Sequence, residues 1–128
     1  MAKKILLVGH CGPDSSYLRM SIKRAVGDVE ISLADDAAEL SKSLQGDIDL
    51  ILFNRELNYG FDTDQGVEII RQLRSAQPNL KMILVSNYPE AQQAAVAAGA
   101  LPGFGKRELG TAKVAELLRN ALTVSAAV

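Results

Sequence analysis

Five short apolar runs punctuate the chain, and between them apolar residues recur at helical spacing. The first run, Ile5-Leu6-Leu7-Val8, reads as a buried strand. Pro13-Asp14-Ser15-Ser16 follows with helix-start chemistry, because short oxygen-bearing side chains accept bonds from unpaired amides. Leu18, Ile22 and Ala25 then keep helical spacing, and Gly27 ends that helix. Glu30 to Ala34 predicts a second strand with Ile31 and Leu33 on one face. Asp35-Asp36 caps a short helix through Ala38, Leu40 and Leu44, which Gly46-Asp47 breaks.

Asp49 to Phe53 is the third strand, and its unbroken apolar run predicts a central place in a sheet. A polar loop covers Asn54 to Gln65, and Val67, Ile70, Leu73 and Ala76 mark a third helix. Pro78-Asn79 turns the chain into Met82 to Val85, the fourth strand. Ser86-Asn87-Tyr88-Pro89 leads to an alanine-rich helix ending at Gly99. A weak fifth strand lies near Gly103-Phe104, and Val114, Leu117, Leu118, Ala121 and Leu122 form the stripe of a last helix. Five β-α repeats argue for an α/β fold: a doubly wound, five-stranded parallel sheet of flavodoxin-like, three-layer form with right-handed crossovers. One domain over 1–124 is expected, with a frayed tail over 125–128.

Composition adds exclusions. The chain has 128 residues, the size of one ordinary domain, and is 48% hydrophobic and 23% charged. Its formal net charge of -1 gives no basic footprint for nucleic acid or an anionic membrane. No stretch approaches a membrane span, and the apolar run after Lys3-Lys4 is too short for a signal peptide. A single cysteine, Cys11, excludes a disulfide framework and fits a reducing cytoplasm.

In an open parallel sheet, ligands bind beyond the carboxyl ends of the strands. Gly9, His10 and Cys11 follow strand one, and Asp35 and Asp36 follow strand two. Asn54, Arg55 and Glu56 follow strand three, Ser86 and Asn87 strand four, and Lys106 and Arg107 strand five.

These positions carry a resemblance. Lys4-Ile-Leu-Leu-Val8, Asp49-Leu-Ile-Leu-Phe53, Gly66-Val-Glu-Ile-Ile-Arg71, Met82-Ile-Leu-Val-Ser86 and Gly99-Ala100 leading to Lys106 together resemble the receiver domain of bacterial two-component response regulators. The likeness covers nearly the whole chain. It implies a phosphorelay fold in which an aspartate ending strand three takes a phosphoryl group, two acidic residues after strand one hold Mg²⁺, and a Ser or Thr and a Lys contact the phosphoryl oxygens. Ser86 and Lys106 match their places. Asn54 stands at the acceptor position, and Gly9 and His10 stand at the acidic pair. A neutral amide is a poor nucleophile, Gly9 offers no ligand, and Mg²⁺ prefers hard charged oxygens to imidazole. Gly103 stands where the family often has an aromatic residue, three positions before the lysine, and Arg107 replaces a common proline. The loop from Asn54 to Gly66 is longer than the family's usual one.

Each candidate also has a plainer reading. Asn54 binds an anion with Ser86 and Lys106, or its amide bonds neighbouring backbone. Lys106, without the family's acidic pair, holds phosphate or sulfate, or pairs with Glu56 or Asp64. His10-Cys11 suggests metal or redox chemistry, against which stands a small buried thiol and no second ligand cluster. Asp62 and Asp64 reach a cation, or sit on a solvated loop. A single histidine with no identifiable partners gives no Ser-His-Asp set, and the glycines of 99–105 do not form a dinucleotide fingerprint.

The resulting expectation is a pseudo-receiver: a signalling domain independent of phosphorylation, not an enzyme, without cofactor or metal, acting on a protein partner. By the resemblance, that partner meets the face of helix four, strand five and helix five, which also leaves room for a homodimer. The alternative is an anion or small-molecule sensor using the pocket around Asn54, Ser86 and Lys106.

Overall fold

The computed structural model describes residues 3–57, 60, 61 and 63–123. The expected frayed tail over 125–128 and the candidate Asp62 lie outside the described residues. The elements alternate as the apolar runs predict. They are β1 (Lys3–Val8), α1 (Gly12–Val26), β2 (Val29–Ala34), α2 (Ala37–Ser43), β3 (Leu50–Asn54), α3 (Gly66–Ala76), β4 (Met82–Val85), α4 (Pro89–Ala98), β5 (Leu101–Phe104) and α5 (Ala112–Thr123). The five strands form one parallel sheet in the order β2-β1-β3-β4-β5.

Period-two alternation divides the core in two. Ile5, Leu7, Leu50, Leu52, Ile83 and Val85 face α1 and α5, where Leu18, Ile22, Val114 and Leu118 cover them. Leu6, Val8, Ile51, Phe53, Met82 and Leu84 face the other way, against Leu40, Ile69, Ile70 and Ala95 of α2, α3 and α4. Where β1, β3 and β4 are covered on both faces, at residues 5–8, 50–53 and 82–85, their sequences run apolar without interruption.

Local chemistry sets the boundaries. Asp36 caps α2: its carboxylate accepts the Glu39 amide at 2.7 Å, while the Glu39 carboxylate accepts the Asp35 amide at 2.9 Å. The start of α1 differs from expectation. Its N-cap is Cys11, whose side chain makes no capping bond, and Pro13 sits in the first turn, where its fixed φ suits a helix. Asp14 is thereby inside the helix and free to bond elsewhere.

The β4–β5 ladder slips. Ile83 pairs with Leu101 and Val85 with Phe104, leaving a bulge between them. Gln92 of α4 bridges the gap: its Nε2 donates to the carbonyls of Leu84 (2.8 Å), Ser86 (3.1 Å) and Phe104 (3.3 Å). Any side chain at Gly103 would collide with the Leu84 carbonyl and the Gln92 amide. This backbone therefore has no room for a side chain at position 103.

Candidate functional site

Parallel register brings Gly9, Asn54, Ser86 and Lys106 to one end of the sheet. Val8 pairs with Phe53 and Asn54 with Val85, so the residues that follow β1 and β4 flank the tip of β3. This end includes the point between β1 and β3 where strand order reverses.

Gly9 has φ +76°, and its amide donates to the Ala34 carbonyl at 3.1 Å. A Cβ built at this position would overlap Leu57 Cδ2 and lie 3.7 Å from Leu57 Cγ. His10 turns inward instead of facing the pocket. It is 6% exposed, and Nε2 lies 3.0 Å from the Leu52 carbonyl. A carbonyl only accepts, so Nε2 carries the proton in that bond. Burial drives the imidazole pKa down to about 4, against the opposing effect of the Leu52 bond. His10 is therefore neutral near pH 7.

Asn54 ends β3 with its amide wedged between two oxygens. Nδ2 donates to the Glu56 carbonyl at 2.8 Å and to the Gly9 carbonyl at 3.2 Å. Both amide hydrogens are used, and a carboxylate has none to offer. This is the backbone-bonding arrangement rather than an anion held by the amide.

Ser86 is buried. Its amide donates to the Phe104 carbonyl at 2.9 Å, and its Oγ accepts the Tyr88 amide at 3.2 Å. The Lys106 ammonium lies 2.5 Å from Asp14 Oδ2. The Lys106 ammonium, and after it the Cys11 thiol, hold the Asp14 carboxyl below its ordinary value. The expected pairing of Lys106 with Glu56 or Asp64 is corrected here. Glu56 pairs with Arg55 at 2.8 Å, the Arg55 guanidinium stacks 4.6 Å above the Tyr88 ring, and α1 supplies the counter-charge to Lys106. A cleft of about 240 Å³ remains between Asn54, Ser86, Asn87, Tyr88 and Lys106.

Two further expectations are revised. Cys11 is exposed, not a buried thiol, because the N-cap of α1 stands on the rim of the sheet. The β3–α3 connection is not simply a solvated loop. Leu57 donates to the Asp64 carbonyl and Gly66 to the Arg55 carbonyl, each at 2.8 Å, and Glu56 bridges Gln65 in antiparallel sense. Leu57 and Phe61, 6% and 7% exposed, both enter the core on the α2–α4 side. The periodicity of the strands gave no sign of this. Leu57 and Phe61, inside a mostly polar stretch, were the available signal.

The residues present do not fit the Mg²⁺ that the receiver resemblance implies. Leu57 fills the space at Gly9, His10 is buried against a carbonyl, and Asn54 is a neutral amide with both donors committed. Among the described residues, no group of three or more His, Cys, Asp or Glu is placed to hold a metal ion. Nor is any helix among them long and apolar enough to cross a membrane.

Sequence comparison is silent: no protein-family model and no curated protein matches the chain. Structure comparison is not. A CheY-like response regulator receiver domain protein from Methanospirillum hungatei is 25% identical, with 94% of this chain and 97% of that one covered and a TM-score of 0.68. The signal receiver domain of a DNA-binding response regulator from Colwellia psychrerythraea is 14% identical, covering 95% and 99%, with a TM-score of 0.74. A response regulator from Thermotoga maritima is 18% identical, covering 97% and 100%, with a TM-score of 0.73. Sheet order, helix placement and near-complete mutual coverage lead to one conclusion: the chain has the receiver-domain fold of two-component response regulators.

Proposed function

We propose that this chain is a pseudo-receiver: a signalling domain that works without phosphorylation, catalyses no reaction and acts by contact with a protein partner. The observation that carries the reading is the Asn54 amide, which spends both hydrogens on the Gly9 and Glu56 carbonyls. A side chain so placed is neither a nucleophile nor free to become one. Against the anion-sensor alternative stands the Lys106–Asp14 pair, which already neutralises the pocket's ammonium. The proposed contact surface is the α4–β5–α5 face, where Val96 of α4 is 45% exposed. The same face is open to a second copy of the chain. A reducing cytoplasm belongs to the same reading, and the single cysteine is compatible with it.

Incubation with acetyl phosphate and Mg²⁺, followed by intact mass measurement, tests it. The expected mass is unchanged, and beryllium fluoride with Mg²⁺ leaves the amide NMR spectrum unmoved. A stoichiometric acyl phosphate, or shifts centred on Asn54, would sink the proposal.

A further inference from the structure

The missing carboxylates are one reason the pocket does not suit a cation. The structure supplies a second. We propose that the β3–α3 hairpin is a built-in plug, in which Leu57 occupies the volume that a side chain at position 9 needs and so closes the space beside Gly9 to a hydrated divalent cation. This concerns how the pocket is closed. It stands whether or not the domain signals through a protein partner.

Leu57 lies against Gly9, where even a methyl group would overlap it. It is 6% exposed and belongs to the same apolar cluster as Val8 and Phe53, the last core residues of β1 and β3. A branched hydrocarbon there offers an ion no oxygen and leaves no room for its water. The plug is also held at both ends. At its base the Leu57 and Gly66 amides bond the Asp64 and Arg55 carbonyls, and Asn54 Nδ2 bonds the Glu56 carbonyl. At its tip Phe61 is buried in the same cluster, and the Gly60 carbonyl accepts the Ala37 amide of α2 at 2.9 Å. Leu57 is thus fixed from the strand side and from the helix side. The roles divide cleanly: Asn54 closes the pocket's polar floor, and Leu57 closes the space beside Gly9.

A double-mutant cycle tests the packing. Gly9→Ala strains the backbone at φ +76° in any background, so that cost cancels in the comparison. The expected fall in melting temperature on Gly9→Ala is larger in the wild type than in Leu57→Ala; equal falls overturn the proposal. A second measurement reads the ion directly. Gly9→Asp/Asn54→Asp restores two carboxylates with the plug in place, and the same pair with Leu57→Ala removes it. Millimolar Mg²⁺ is expected to raise the melting temperature of the triple variant only. An equal response from the two, whether present or absent, overturns the plug as the second barrier.

Discussion

Asn54→Asp puts a carboxylate where the receiver resemblance implies the phosphoacceptor, yet the surroundings make the change costly. The wild-type amide donates to two carbonyls, at 2.8 and 3.2 Å. A carboxylate forfeits both bonds, at about 1 kcal/mol each, and leaves its own oxygens facing two others in a half-buried place, which adds about 1–3 kcal/mol. Lys106 lines the same cleft, but its ammonium is already 2.5 Å from Asp14. Attraction across a partly solvated cleft returns at most about 1 kcal/mol. The expected net loss near neutral pH is therefore about 2–5 kcal/mol. The pH dependence follows from sign. Protonation gives the new carboxyl a hydrogen to donate, so its folded pKa lies above the unfolded value of about 3.9. The penalty is full above the folded pKa and fades as pH falls toward the unfolded one. Urea unfolding of both proteins across this range measures the difference, and effects common to the two cancel. A variant as stable as wild type near neutral pH, or a gap that does not narrow with acid, refutes the reasoning.

Two further outcomes are expected. His10 is buried neutral with a folded pKa of about 4 against an ordinary 6.5. Stability is therefore level above the ordinary value and falls as pH drops through that window, by about 3 kcal/mol when the loss is complete. His10→Gln flattens this part of the urea-unfolding profile; a wild-type profile already flat there counts against the buried imidazole. Gln92→Ala removes the donor shared by the Leu84, Ser86 and Phe104 carbonyls and costs about 1–3 kcal/mol, with faster amide exchange at Ser86, whose donor bond to Phe104 crosses the same gap. Unchanged stability and exchange would mean that Gln92 does not hold the bulge.

The fold was legible because its signals are local. Apolar runs such as Leu50 to Phe53 and Met82 to Val85 mark strands covered on both faces, and Gly27, the Asp36 cap and Gly99 mark helix ends. Once strand order is known, the positions of Asn54, Ser86 and Lys106 follow from where each strand stops. What stayed hidden depends on residues meeting from afar. Asp14 and Lys106 are 92 positions apart, and nothing in either segment names the other. His10 follows a strand that ends at a pocket, which suggests an outward side chain; the positive φ at Gly9 turns the chain so that the ring enters the core. Leu57 and Phe61 lack strand or helix periodicity because a short hairpin, not a long element, carries them inward.

The packing of Leu57 on Gly9 also sets a mutational distance. On the plug reading, a metal-binding pocket beside Gly9 needs changes at positions 9, 54 and 57, and the three are coupled. Carboxylate at 54 strands two carbonyls, a side chain at 9 strikes Leu57, and a smaller residue at 57 opens a void while nothing else has changed. Each single step therefore lowers stability before any ion can repay it, in a domain whose total margin is of the order of 5–15 kcal/mol. A route through these three positions one substitution at a time therefore runs downhill in stability at its first step, whichever of the three comes first.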